Sequence, residues 1–493
     1  MSNRSIFLFL LLLGFYFTLH LFNLTKLPVF ADESIYIRWS QLIIDDFYRY
    51  LFYPMNDGKT PLLMWLSVPF LHLFADQLLA ARLVSVIIGA SSISFVFLLL
   101  RELKQEKAAW LAALLMTISP FTFFYHRLAL TDALLLNNLI IAYYFAVKFV
   151  QANRWYNIFG LAFFFFLAIM SKTPALLFAP VFYLLPFLLP KLTWQLFFRK
   201  ILFLSLGLLL SLLFFYSFRI VPLFSQLFAV GGNFIQDKDL IFSMEILTVA
   251  TRNASFFFEQ LLTYLGPLIL LLAIPFFSKT RKIQLIFFIS ALIFLIPLIL
   301  LGKIIYPRYI LPSSFLIISS AAISLQNLSK KRVWQTLAVI LIAYFSFNFI
   351  KSAYLNPDQL PLSSADREQF LEEWSSGHGI KETSEFILEL AKTKRVAVAT
   401  EGYFGTLPDG ILLNLHKKNV DNIYVEGIGQ PIRTIPENFL ARAADFELKI
   451  LVVNSHRLKI DLPKTALLKS FCRPNQAPCL QIWELNEEIL SKF

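Results

Sequence analysis

Apolar runs of about 20 residues recur through the first 350 positions of this chain, and they leave little choice of fold. Inside a bilayer the backbone has no water to bind. A crossing segment must pair its own amides and carbonyls, which long unbroken runs do as α-helices rather than barrel strands. Runs at roughly 5–24, 81–100, 108–126, 129–149, 156–171, 174–190, 201–220, 261–277, 283–301, 309–326 and 333–350 meet the requirement, giving about 11 spans. Composition agrees: 15% of the 493 residues are charged and 57% are hydrophobic, where a soluble domain carries about 25% charged residues. The expected class is a mostly α, polytopic membrane protein. The stretch Leu62 to Phe74 is too short to cross and carries Pro69 and His72, so it reads as a re-entrant or interfacial helix. The first run, Ile6 to Phe22, is longer than a signal-peptide core and is followed by no small-x-small site, so it reads as an uncleaved span.

The formal charge of +12 fits loop asymmetry rather than nucleic-acid binding, since no basic arm or nucleic-acid motif is present. Arg4, Arg101/Lys104/Lys107, Lys148/Arg154, Lys191/Arg199/Lys200, Lys279/Arg281/Lys282 and Lys330/Lys331/Arg332 fall on alternate loops. That side is expected to be cytoplasmic. The other side receives the loops 25–80 and 222–260, the turns near His126–Asp132, Ser171–Thr173 and Gly302–Arg308, and everything after 350. Ile35, Trp39, Leu42, Ile43 and Phe47 recur at near-helical spacing, which predicts an amphipathic helix on the membrane surface. The segment from Ile241 to Glu259 reads as another.

The membrane domain is expected over 1–350 and a linker over 351–365. A small extracytoplasmic α/β domain is expected over 366–493, with strands near 395–399, 423–425, 449–453 and 479–483. The only two cysteines, Cys472 and Cys479, then lie in an oxidising compartment, which permits a disulfide between them. Neither Gly402-Tyr-Phe-Gly405 nor Gly427-Ile-Gly429 matches a phosphate-binding loop, so no cofactor is assigned. His378, His416 and His456 are too scattered to argue for a metal.

Ionisable residues gather on the outer side next to span ends: Asp32 and Glu33, Asp57 and Lys59, His126 and Arg127, Asp132, Lys172, Arg252, Lys303 and Arg308. Such groups are costly beside hydrocarbon. Cations suit a lipid-borne phosphate, and a carboxylate suits removal of a proton from an acceptor.

Asp32-Glu33, Lys59-Thr-Pro-Leu62, Arg127-Leu-Ala-Leu-Thr-Asp132, Ser171-Lys-Thr-Pro174 and Arg308-Tyr-Ile-Leu-Pro312, in that order, resemble the GT-C membrane glycosyltransferases. Within them the resemblance is to the branch of protein O-mannosyltransferases, lipid A aminoarabinose transferases and bacterial galacturonate transferases. It covers the membrane region. It implies inverting transfer of a sugar from a polyprenyl-phosphate-sugar donor to a glycan, lipid or protein acceptor, in the cell membrane with the site facing outward. It implies Asp32 as base and Asp132 as the residue that orients or activates the acceptor; Glu33 reads separately as a tuning or orienting partner, because two neighbouring carboxylates tend to raise one pKa. Lys59, Arg308 and Tyr309 would hold the donor's phosphate, and Arg127 and Lys172 are further candidate donor-binding cations. Relatives often carry an acid directly before the lysine of the first loop. Here Gly58 stands there, which leaves a divalent metal in doubt despite nearby Asp57.

Each residue also has a plain structural reading. Asp32 can N-cap the helix that follows, Arg127 and Asp132 can form an ion pair, Lys59 and Lys172 can snorkel, and His126 can be an interfacial histidine. At the level of the whole chain, a flippase of lipid-linked sugar, or a non-catalytic component presenting the outer domain, competes with the enzyme. A flippase predicts repeats and mid-membrane charges, neither of which the sequence shows.

Overall fold

The computed structural model describes residues 3–275, 281–328, 332–418 and 420–490. Lys279, Lys330 and Lys331 lie outside them. The helices used below are α1 (Asn3–Leu21), α2 (Ala31–Asp45), α3 (Leu62–Leu73), α4 (Gln77–Glu102), α5 (Glu106–Ile118), α6 (Thr131–Ala152), α7 (Tyr156–Ser171), α8 (Trp194–Ser217), α9 (Ile246–Ala273), α10 (Arg281–Leu301), α11 (Ser314–Asn327), α12 (Arg332–Leu355), α13 (Ile380–Leu390) and α14 (Asp409–Leu415).

Among the described residues, 8 helices are long and apolar enough to cross a membrane. They correspond to α1, α4, α6, α8, α9, α10, α12 and the unit Pro307–Asn327 that ends in α11. The other expected spans are shorter for identifiable reasons. The run 108–126 is interrupted at Ser119-Pro120, where the chain turns out of α5 and resumes as a short helix, Pro120–Tyr125. Helix α7 has 16 residues, a length of about 24 Å at the α-helical rise. Thr173–Leu188 also has 16 residues but is wound as a 3-10 helix with Pro180 and Pro186 inside it. At about 2.0 Å per residue it reaches about 32 Å, so the tighter winding restores a membrane-scale length. α3, with Pro69 inside, has 12 residues.

Helix α2 departs from the expected surface helix. Ala31, Glu33, Ser34, Ile35, Tyr36, Ile37, Trp39, Ser40, Gln41 and Ile43 are all buried. One face packs on the bundle, and the other is covered by the C-terminal domain. Gln41 Nε2 donates to the Leu413 carbonyl at 3.0 Å, and His416 Nε2 lies 3.0 Å from Asp45. Membrane-surface periodicity and two-sided burial share the same apolar stripe, so the pattern alone could not separate them. The segment 222–260 also differs: α9 starts inside it, at Ile246, and passes through a break at Gly266-Pro267. Gly266 has φ +78°, and a Cβ there would meet the Phe345 ring at 3.2 Å.

The C-terminal sheet has the order β2-β1-β3-β5-β4, from β1 (Val396–Thr400), β2 (Ile423–Gly427), β3 (Leu448–Asn454), β4 (Leu467–Phe471) and β5 (Leu480–Glu484). β1 pairs parallel with β2 and β3, and β5 pairs antiparallel with β3 and β4. Cys472 and Cys479 are bonded to each other across the β4–β5 connection. One side of the sheet (Val396, Val398, Ile450, Val452), with Ile380 and Ile387 of α13, shares a core with Val29, Ile37, Leu71, Ala80, Ala81 and Ala129 of the membrane part. Leu360, Leu362, Phe370 and Leu371 pack into the core of the bundle itself. The domain is therefore seated on the bundle through two apolar contacts.

Candidate functional site

The site is built where several chain turns meet at one end of the bundle. Asp32 stands in the first turn of α2, Asp132 in the first turn of α6, Lys172 between α7 and the 3-10 helix, and Arg308 in the first turn of Pro307–Asn327. Negative charge in a helix's first turn is favoured by the exposed amides there. Arg308 Nη2 lies 3.0 Å from Asp32 Oδ2, and Arg308 Nε lies 3.9 Å from Asp132 Oδ2. Lys172 Nζ donates to Asp132 Oδ1 at 2.8 Å and sits 4.4 Å from the centre of the Tyr309 ring. Two carboxylates and two cations thus alternate around one point.

The Arg308 guanidinium is flanked by Tyr306 at 4.7 Å and Phe30 at 5.4 Å, which restrict its plane. Tyr36, one turn beyond Asp32, lies in the field of Asp32, Asp132 and Arg308; burial first, then Asp32, pushes its phenol upward. Lys59 lies over the Phe234 ring at 5.6 Å and is close enough to Lys172 and Asp57 to act on both. Burial raises the Asp57 carboxyl, the pull of Lys59 opposes this, and the charge of Asp32 adds to the rise.

Asp32 and Asp132 differ in access. The Asp32 side chain is 25% exposed and that of Asp132 3%, so only Asp32 can meet an incoming group without rearrangement.

Two expected site residues are not brought to this cluster. Glu33 is fully buried and turned the other way. Its carboxylate takes both Arg82 Nε at 2.8 Å and Arg82 Nη2 at 2.7 Å, the Ala129 amide at 2.7 Å and the Phe30 amide at 3.0 Å. Every lone pair is used, so Glu33 acts as a clamp between α2, α4 and the Ala129 loop. Phe30, not Asp32, occupies the N-cap, and Glu33 reaches back to its amide. Arg127 likewise points to the end of α1. It donates to the carbonyls of His20 at 2.7 Å, Phe22 at 2.9 Å and Asn23 at 3.0 Å, and stacks on Phe123 and Tyr354. His126 is buried beside His20, with ring centres 6.1 Å apart, away from the four charges.

The residue types do not favour a metal. Among the described residues no group of three or more His, Cys, Asp and Glu side chains could hold one. The two site carboxylates are bridged by a guanidinium instead. Gly58, where an acid would stand, has φ +68°, and a Cβ there would lie 2.7 Å from Val230 Cβ. The backbone therefore requires glycine at that position.

Residues near 370 complete the picture. Arg308 Nη1 donates to Gln369 Oε1 at 2.9 Å. Asp366 is buried and takes Tyr125 OH at 2.6 Å and also Tyr264 OH. The backbone beside Asp32 is pinned by the same segment: Ala31 N donates to the Ser375 carbonyl at 3.0 Å, and Phe30 bridges Ser376. None of these residues belongs to a motif. Their only sequence signal is one acid among several just past the linker.

Residues 58–221 match the family described as dolichyl-phosphate-mannose-protein mannosyltransferase. A sequence comparison with curated proteins gives no match. Among solved structures, the chain is similar to ArnT from Cupriavidus metallidurans bound to undecaprenyl phosphate: TM-score 0.59, 14% identity, 99% of each chain covered. The apo state of the same protein superposes with TM-score 0.59 and 15% identity, over 97% of this chain and 98% of that one. At such identities the likeness is one of fold, and it extends from the first helix through the C-terminal sheet. This is a multi-pass membrane protein with the ArnT-like fold of the GT-C glycosyltransferases.

Proposed function

We propose that the protein transfers a sugar from a polyprenyl-phosphate-linked donor to an acceptor on the extracytoplasmic face, with inversion and with Asp32 as base. The observation that carries this reading is the Asp32–Arg308–Asp132–Lys172 cluster, in which one partly exposed carboxylate adjoins cations suited to a phosphate. The undecaprenyl phosphate bound to the similar ArnT structure is the kind of product such a donor leaves.

The chemistry follows from the charges. The donor's phosphate is attracted to Arg308, Lys172 and Lys59, while its prenyl chain lies among apolar helices. When the phosphate engages Arg308, the guanidinium no longer neutralises Asp32 alone, and the carboxylate is free to accept a proton. The acceptor's O–H or N–H gives its proton to Asp32, and its lone pair forms the new bond at the anomeric carbon. The bond from that carbon to the phosphate oxygen breaks on the opposite side, which inverts the centre. The charge gained by the leaving phosphate is held by the same cations, a form of stabilisation that is often the largest catalytic effect. Asp132, neutralised by Lys172, holds that lysine in place, and it orients the acceptor once substrate binding opens the cluster.

The outward orientation rests on charge. Arg101, Lys104, Lys107, Arg154, Lys200 and Lys282 lie at the opposite end of the bundle from the site. There Lys200 bonds Asn153 at 2.9 Å, and Lys282 bonds the Leu189 carbonyl at 2.7 Å. That end is the cytoplasmic one by the positive-inside rule.

The direct test is transfer of a labelled sugar from a polyprenyl-phosphate-linked sugar by the purified protein and by Asp32→Asn. Loss of transfer with an unchanged unfolding midpoint is expected. Wild-type rates in the variant would remove Asp32 from the role of base.

A further inference from the structure

We infer that the segment Ser363–Gln369, although outside the bundle, is part of the transfer site: Gln369 is a positioning residue that fixes Arg308, and Asp366 is the anchor that holds Gln369 there. The inference rests on the reading of Arg308 as a phosphate-binding group.

A guanidinium presents its donors in a rigid planar fork. In Arg308, Nη2 is held by Asp32, Nε faces Asp132, and Nη1 is held by the Gln369 amide oxygen at 2.9 Å. The first two partners are anions and the third is neutral. Gln369 therefore adds orientation without cancelling positive charge that a phosphate needs. A carboxylate at the same place would make three anions around one cation.

Gln369 is itself held from one turn earlier. Its Nε2 donates to the Ala365 carbonyl at 3.1 Å. Asp366 has no exposed surface, and its Oδ2 accepts from Tyr125 at 2.6 Å and from Tyr264. Tyr125 ends the short helix after α5, and Tyr264 lies just before the Gly266-Pro267 break in α9. Two elements of the bundle thus meet the segment at one oxygen atom. Burying a carboxyl is costly, and the transfer chemistry makes no use of this one. Its geometry suits an anchor, and the charged groups within its field are Arg308 and Asp132. The aromatic contact of Phe30 with Phe370, 4.4 Å between ring centres, ties the same turn to the backbone that carries Asp32.

The test uses the full-length protein in lipid nanodiscs, with undecaprenyl phosphate as binding probe and a polyprenyl-phosphate-linked sugar as donor. Gln369→Ala is expected to weaken undecaprenyl phosphate binding and to lower kcat, each about tenfold, as for loss of a hydrogen bond to a charged group. The acceptor KM and the unfolding midpoint should not move. Gln369→Glu, which keeps an acceptor but adds an anion, should bind the probe more weakly than Gln369→Ala while unfolding no earlier than wild type. A merely structural role would not give that split. Asp366→Asn, whose amide oxygen can accept from both phenols, should retain activity that Asp366→Ala loses. If Asp366→Ala does not fold, the double variant Tyr125→Phe/Tyr264→Phe serves the same purpose. Wild-type probe affinity and kcat in Gln369→Ala overturn the inference. If the wild-type protein neither binds the probe nor transfers sugar, the reading of Arg308 fails first and takes this one with it.

Discussion

The Asp32 carboxylate lies 3.0 Å from the Arg308 guanidinium, 276 residues away in the chain, whereas the carboxylate next to it, Glu33, is paired with Arg82. Two adjacent acids thus serve different ends. One meets Arg308 beside Asp132 and Lys172, and the other closes a buried clamp with Arg82.

Substitution separates them. Glu33→Gln leaves the fully buried Arg82 without its counter-charge, which should cost about 3–5 kcal/mol of stability. Its unfolding midpoint in detergent should fall well below that of Asp32→Asn. A Glu33→Gln protein as stable as wild type but inactive would return Glu33 to the site.

The Lys172–Asp132 pair should behave as one unit. Lys172→Ala and Asp132→Asn are each expected to lower kcat by about 100-fold or more, the usual effect of removing one preorganised electrostatic group. The double variant should be little worse than the weaker single one, because each partner holds the other. Strictly multiplicative losses would show that the two act separately.

Asp366 gives stability a pH dependence. Burial pushes its carboxyl from 3.8 up to about 6, against the opposing effect of the Tyr125 and Tyr264 hydrogen bonds. The folded protein therefore holds this proton more tightly than the unfolded chain does. Its contribution is fully present below about pH 4 and is lost as pH rises through about 6, a change of about 3 kcal/mol. Unfolding midpoints of wild type and Asp366→Asn between pH 4 and 8 should diverge over that window, the variant being flatter. Parallel curves would refute the assignment.

Orientation can be read with thiols. The two native cysteines are joined in a disulfide, so an introduced cysteine is the reactive one. Lys392 and Glu106 have side chains 63% and 76% exposed and lie at opposite ends of the molecule. In intact cells an impermeant maleimide should label Lys392→Cys and spare Glu106→Cys. The reverse pattern would place the site on the cytoplasmic side.

Much of the candidate cluster is legible in the sequence because its residues sit beside span ends, where a charge stands out against hydrocarbon. Asp32, Asp132, Lys172, Arg308 and Tyr309 were visible in that way. The role of Glu33 was not, because it is decided by Arg82, one charge inside the long apolar helix α4. Arg127 carries the charge of a phosphate ligand, but the carbonyls it caps are set by how α1 ends. Gln369, Tyr125 and Tyr264 carry no signal, since an uncharged side chain just past a linker or an aromatic in or beside a span has no distinguishing pattern. The sheet shows the same limit. β1, β2, β3 and β5 follow apolar runs, while β4 carries no such signal because Leu467–Phe471 is an edge strand whose Lys469 and Ser470 are exposed. The environment of α2 depended on a domain encoded more than 300 residues later.

That dependence has a consequence for biosynthesis. Helix α2 leaves the ribosome among the first segments, yet the carbonyl that receives its Ala31 amide belongs to Ser375, and the amide that steadies Arg308 belongs to Gln369. A nascent chain that has inserted all of its membrane helices still lacks both. The Asp32–Arg308 cluster gains both contacts only after the last helix is in place and the following segment has emerged beside it, so chains halted before that point would be inserted with the cluster unsupported.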